Sequence, residues 1–262
     1  MPFALLLPAI VLVTVVVLLP TAQAIAVAFT EEDGAFGLGS VQGMFRDLAF
    51  TDAARDAIVL LILLTPLQIA LATGIALVLG SRIRMPGGLL YLAALPLAVS
   101  DLAAGLLWLA LFTDRGFVNS ALQDAGAIAQ PVSWLAPGNV AGAVLAVVLA
   151  ETWRTTSIFV IAMLSGVRRT SPDTAVTLRA LRPSFVSAVA IRALLVLQTF
   201  ALVFALAGRN LPVLAGQAYE RFAANRNEHV AAAYVVLILV LGAIASAVYV
   251  RSVGQRVASI AR

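Results

Sequence analysis

A chain of 262 residues that is 62% hydrophobic and 11% charged has too little polar surface for a soluble domain, and its mean hydropathy of +1.02 places it in the membrane class. Cysteine is absent, which excludes disulfides, thiolate metal sites and thiol nucleophiles, and no cofactor is expected. All 17 basic residues are Arg, so the chain has no phosphate-loop lysine, and the net charge of +4 lies in short separate loops rather than on the basic, aromatic-laced face of a nucleic-acid binder.

Six apolar segments follow one another, each long enough to cross a hydrocarbon core of about 30 Å as a helix. The first, about Pro2 to Phe29, lacks a basic leading stretch and is too long for a signal-peptide core, so an uncleaved span is expected, with Pro8 and Pro20 inside it. The second runs from about Ala57 to Gly80, the third from Gly87 to Thr113 and the fourth from Asn139 to Gly166. The fifth runs from Pro183 to Ala207 and the sixth from Val230 to Val250. The predicted fold class is an all-α membrane protein with six transmembrane helices. Its parts are a first helix (1–29), an exterior loop (30–56), a five-helix core (57–251) and a cytoplasmic tail (252–262).

Arginine sets the sidedness. Arg82 and Arg84 occupy the second connection; Arg168, Arg169, Arg179 and Arg182 stand against Asp173 alone in the fourth; Arg251, Arg256 and Arg262 lie in the tail. Acidic residues gather in the odd loops, among them Glu31, Asp47, Asp114 and Glu220. The expected location is a cell (inner) membrane with both termini cytoplasmic. Each long odd loop has room for a short surface helix.

Four charges fall within predicted spans: Asp101, Glu151, Arg154 and Arg192. Each is costly in hydrocarbon and should face an interior, a water-filled path or a partner charge. Glu151 and Arg154 share one helix face, as a polar path or as an ion pair that neutralises itself. Arg192 lies near the cytoplasmic end of its predicted span, nine residues after Pro183, where its side chain is expected to snorkel out. Asp101 follows the Pro96 stretch, at a helix break, as a cap or a substrate contact. Trp108, Trp134 and Trp153 are expected as interfacial anchors, and Gly74, Gly80 and Gly105 as helix-packing sites.

The segments taken in order resemble the permease subunits of maltose-type (type I) ABC importers, the sugar-uptake branch in particular. The stretch LPLAVSDLAAGLLWLALFTDRGFVN is similar to that family's LPxxxPxxxxxxxWxxLFxxxxGxxN, with Pro96, Trp108 and Phe112 in place, Gly116 and Asn119 following after a spacer one residue shorter, and Ser100 at the second proline. WRTTSIFVIAMLSGVRRTSPD resembles WxxxPFxxxxLxAGLxxIPxE, with Ser157 for the helix proline. The resemblance implies the type I permease fold and half of a path for sugars. It also implies a second permease subunit, an ATP-binding subunit dimer that hydrolyses ATP, an exterior solute-binding protein and a surround of membrane lipid. Glu151, Thr155, Gln198 and Phe204 are the residues expected to face the path.

The chain departs from the family at the loop that grips the ATPase. The family's EAAxxxGA helix is deleted, while the end of its signature survives in Thr177, Leu178, Arg182 and Pro183. The coupling segment is therefore expected to run through Arg168, Arg169, Asp173, Thr174, Arg179 and Arg182, with a short helix begun at Ser171 and Pro172. The competing readings are an ATPase-independent secondary carrier or channel, and a permease remnant that has lost coupling.

Overall fold

The computed structural model describes residues 3–31, 34–80, 86–167 and 178–258. Among the described residues the regular structure is helical, apart from an isolated antiparallel bridge between Thr30 and Phe36. Five helices among the described residues are long and apolar enough to cross a membrane, and six spans result when one bent pair is counted as a single crossing. This is the expected all-α membrane architecture.

The first span is one helix in three parts: α1 (Phe3–Val13), a π turn (Thr14–Leu18) and α2 (Leu19–Ala28). Pro20 has no N–H to donate, and its ring crowds the carbonyl four residues back, at Val16. The wider π turn falls on that carbonyl, so the helix continues past the proline. Helix α2 rests on α12 (Glu228–Ala258), the last span, and His229 Nδ1 donates to the Val27 carbonyl at 3.1 Å. Elsewhere the first span is exposed.

Helix α4 (Leu48–Gly80) begins nine residues before the expected Ala57. Its charged first turns are tied locally, with Arg55 against Asp52 at 3.1 Å and Asp56 at 2.9 Å. At 1.5 Å per residue α4 is about 50 Å long, so these turns extend beyond the hydrocarbon. The third apolar segment is not a straight rod. After α5 (Pro86–Ala94) and a 3-10 turn (Leu95–Ala98) that contains Pro96, Val99 and Ser100 are extended, and α6 (Asp101–Phe112) sets off at 97°. Ser100 caps α6 by accepting the Ala103 N–H at 3.2 Å, the role of a helix-starting residue where the family pattern has proline.

With Ser157 in place of proline, α8 (Val140–Val167) runs unbroken. Helix α9 (Leu178–Gln198) starts before Pro183 and stops before the expected Ala207; Thr199 and Phe200 break it, and α10 (Ala201–Leu206) follows. Helix α12 continues past Val250 to Ala258, into the stretch expected as a tail.

Each of the three long loops, which have room for one, carries a short helix: α3 (Gly39–Arg46), α7 (Phe117–Asp124) and α11 (Leu214–Ala223). These loops are knitted into one cap. Arg221 on α11 pairs with Asp47, and the Asn210 amide donates to the Leu135 and Ala136 carbonyls at 3.0 and 3.1 Å. Buried Asn119 accepts from Val132 N–H at 3.1 Å and Trp134 Nε1–H at 3.0 Å, and its amide donates to the Val132 carbonyl at 2.9 Å. A Cβ at Gly116 would stand 2.3 Å from the Leu111 carbonyl oxygen, so the GxxN spacing is needed for this loop to fold back. The tryptophans, expected as interfacial anchors, also contact other rings: Trp108 packs against Phe112 and Trp153, and Trp134 meets Phe112 edge-on.

Two apolar clusters fill the bundle. One, nearer the loop cap, includes Leu60, Leu64, Ala146, Val147, Ala150 and Val196. The other, nearer the start of α9, includes Ala72, Ala76, Phe159, Met163 and Ala188. Helices α6 and α10 cross closely at Gly105, where a Cβ would meet the Leu202 carbonyl oxygen at 2.8 Å. Gly74, by contrast, has nothing within 4 Å and packs against no part of the described chain.

Candidate functional site

The two apolar clusters are separated by one polar layer, and spacing by fours along three helices produces it. On α4 the inward series is Leu60, Leu64, Gln68, Ala72 and Ala76; on α8 it is Ala143, Val147, Glu151, Thr155, Phe159 and Met163; on α9 it is Ala188, Arg192 and Val196. Residues four apart share one face of a helix, so each polar side chain points where its apolar neighbours point. Gln68, Glu151, Thr155 and Arg192 are all fully buried.

Within the layer, Arg192 donates from Nη1 to Glu151 Oε2 at 3.2 Å, Gln68 Oε1 at 3.3 Å and Thr155 Oγ1 at 3.3 Å. Its Nη2 donates to Glu151 Oε2 at 3.3 Å. Gln68 Nε2 donates to the Glu151 backbone carbonyl at 3.1 Å and to Thr155 Oγ1 at 2.9 Å, while the Thr155 hydroxyl donates to that same carbonyl at 2.8 Å. Three helices are thus fastened at one depth. A buried charge is tolerated only when paired and hydrogen-bonded, and here both guanidinium Nη groups pair with one carboxylate oxygen, while Arg192 Nε has no hydrogen-bond partner among the described residues.

A second pair extends the layer toward the surface. Arg154 Nη1 meets Asp101 Oδ1 at 2.7 Å, at the start of α6 just after the bend. Exposure rises outward, from 0% at the Glu151 and Arg192 side chains to 13% at Arg154 and 39% at Asp101. Two carboxylates and two guanidiniums leave the four-residue set neutral. Arg154 also faces the other oxygen of Glu151, with Nη2 3.6 Å from Oε1, and that oxygen accepts no hydrogen bond among the described residues. Arg154 therefore stands between two carboxylates, bonded to one and within a small movement of the other.

The expected Glu151–Arg154 contact is present but is the weaker of the two that Glu151 makes. Arg192 does not snorkel. Because α9 begins at Leu178, Arg192 lies 14 residues along it, about 21 Å from its start, too deep for its side chain to reach that end. Its pairing with Glu151 was legible only in the fact that two opposite charges occur in neighbouring spans. Gln68, uncharged in an apolar helix, gave no signal except its place four residues from Leu64 and Ala72. Asp101 is at a break as expected, in the first turn of α6 with Ser100 as the cap.

Of the four residues expected to face a path, Glu151 and Thr155 are enclosed in the layer, whereas Gln198 and Phe204 are exposed. Gln198 is the last residue of α9 and Phe204 lies on α10. In the coupling segment, Arg168, Arg169, Asp173 and Thr174 lie outside the described residues, as does the short helix expected from Ser171. Arg179 is in the first turn of α9, and Arg182 is exposed one turn on. Among the described residues no group of three or more metal-ligating side chains occurs.

No family model matches the chain. Among curated proteins it is similar to the lactose transport system permease protein LacF of Rhizobium radiobacter, 27% identical over 170 residues, which are 62% of this chain and 56% of the relative. It is 28% identical to the xylose/arabinose import permease protein XacH of Haloferax volcanii, over 77% of this chain and 70% of the relative. The trehalose/maltose transport system permease protein MalF of Thermococcus litoralis is 26% identical over 54% of this chain and 52% of the relative. The chain spans little more than half the length of two of these three. Its fold matches a chain of a bacterial ABC transporter involved in the import of the acidic polysaccharide alginate, with a TM-score of 0.73 at 16% identity, over 95% of this chain and 94% of the other. The fold is that of an ABC-importer permease.

Proposed function

We propose that this chain is a membrane-spanning permease subunit of an ATP-driven importer and forms half of a translocation path for sugars. The near full-length fold match to an ABC-importer permease, joined to the sequence similarity to sugar permeases, carries this reading. The partners are a second permease subunit, a dimer of ATP-binding subunits that hydrolyses the ATP, and a solute-binding protein outside. The location is the cell membrane, with the loop cap exterior and both termini cytoplasmic.

Transport by alternating access requires movement at the ATPase to become rocking of whole helices. The segment through Arg168, Arg169, Asp173, Thr174, Arg179 and Arg182 is the lever, and it leads straight into α9. Arg192 fastens α9 to α8 and α4, so a push at Leu178 moves the three as one body. The bent α5–α6 pair is held to that body at the path surface by Asp101 and Arg154. We assign Arg154 to an exchange: it bonds Asp101 in this conformation and closes on Glu151 when α6 moves away. Glu151 and Thr155 shape the path from behind, while Gln198 and Phe204 face it.

The chain contains no cysteine, so single cysteines placed at Thr174 and Arg179 report docking without background. With the partner ATPase coexpressed, both are expected to crosslink to it. No crosslink from a folded, membrane-inserted chain would contradict the coupling role and leave the remnant reading.

A further inference from the structure

The break between α9 and α10 builds a cavity in the loop cap that is separate from the charge layer. It measures about 370 Å³ and lies between α10, α11 and the start of α4. Three aromatic rings form one wall. Phe200 is at the break, Phe204 one turn along α10, and Tyr219 on α11; Phe200 lies 5.5 Å from Phe204 and 5.2 Å from Tyr219 between centroids, and Phe204 lies 6.2 Å from Tyr219. The rings are not spent on the core, since Phe204 is 56% and Tyr219 51% exposed. The lining also includes Asp52 and the Arg209–Glu220 ion pair, whose Nη2 and Oε1 are 2.6 Å apart.

We propose that this cavity is a binding subsite for one ring of a neutral sugar at the exterior mouth of the path. The inference rests on the sugar-import reading above and adds the place and the charge class of the ligand. A pyranose presents an apolar face of C–H groups and an edge of hydroxyls. Aromatic rings carry a negative face that attracts such C–H groups, and a ring cluster open on one side gives that face a platform. The hydroxyl edge needs both donors and acceptors, which Arg209 and the carboxylates of Asp52 and Glu220 supply. Both lining carboxylates are already paired, Asp52 with Arg55 and Glu220 with Arg209, so the Arg209 guanidinium is not free to receive a uronate carboxylate and a neutral ring is accepted.

The test is saturation-transfer NMR on the full chain in lipid nanodiscs with lactose, xylose and trehalose as neutral probes and glucuronate as the acidic one. At least one neutral probe is expected to receive saturation, strongest at its ring C–H protons, and glucuronate none. Phe204→Leu combined with Tyr219→Ala should weaken binding of that probe by about tenfold or more, the scale of lost aromatic contacts. Phe204→Tyr with Tyr219→Trp should retain it. Both residues are about half exposed, so these variants should fold; retained helical circular dichroism verifies this. If a neutral sugar binds equally well to the Leu/Ala variant, the subsite is overturned while the sugar reading stands. Stronger saturation of glucuronate than of every neutral probe overturns the charge assignment. If no probe binds the folded wild-type chain, the subsite is overturned, whereas the sugar reading falls only if the assembled importer takes up no sugar.

Discussion

Arg192 on α9 and Glu151 on α8 meet across the bundle with both side chains fully buried, two guanidinium N–H groups reaching one carboxylate oxygen at 3.2 and 3.3 Å. Removing Glu151 leaves Arg192 charged and unpaired in the interior, and removing Arg192 leaves Glu151 only its longer contact with Arg154. Arg192→Gln or Glu151→Gln alone is expected to destabilise the chain by about 3–5 kcal/mol. The double variant should lose much less than the sum. Thermal unfolding of all four proteins in one detergent gives the coupling, and additive losses would show that the two side chains do not act as a pair.

Asp101 is a different case, because its side chain is 39% exposed and Arg154 keeps Glu151 within reach after its loss. Asp101→Asn should cost no more than about 1 kcal/mol of stability. If Arg154 exchanges partners during transport, the same change should still slow uptake several-fold. Wild-type uptake with Asp101→Asn would remove the exchange from the mechanism.

Two glycines make a matched comparison. Gly105→Ala forces a methyl against the Leu202 carbonyl at 2.8 Å and should cost about 1–3 kcal/mol through overpacking. Gly74→Ala meets nothing within 4 Å and should be neutral or stabilising by up to about 1 kcal/mol, through helix propensity. Unfolding midpoints of the two variants should therefore move in opposite directions or differ clearly in size.

Asn119 ties the loop before α8 to the end of α6. Asn119→Ala orphans the Val132 N–H and the Trp134 indole N–H and should cost about 2 kcal/mol or more. Hydrogen exchange should rise across residues 113–135 and not in α12. An unchanged exchange pattern would mean that the loop is held by other contacts.

Composition and runs of apolar residues were enough to indicate the spans, because hydrocarbon demands them irrespective of how the helices pack. Their ends were less legible. Asp52, Arg55 and Asp56 read as loop residues, yet they pair with one another on the first turns of α4, beyond the hydrocarbon. The sequence points to a start of α9 at Pro183, yet proline is tolerated inside a membrane helix, and the earlier start at Leu178 takes Arg192 away from the surface. The motif residues Phe112, Gly116 and Asn119 were visible as a pattern, but their purpose, closing one loop, depends on a fold-back that spacing does not reveal. Partners in the charge layer come from three helices far apart in sequence. Charge sign and depth bring Glu151 and Arg192 under suspicion, but nothing in the sequence points to Gln68.

The central claim is import driven by a partner's ATP hydrolysis. It is tested most directly in proteoliposomes holding this chain, its partner permease and the ATPase pair, with the solute-binding protein added outside and labelled lactose, xylose or trehalose as cargo. The account predicts uptake of at least one sugar that needs internal ATP and stops when the ATPase's phosphate-loop lysine is replaced. Uptake by this chain alone, driven by an ion gradient and indifferent to ATP, would contradict it.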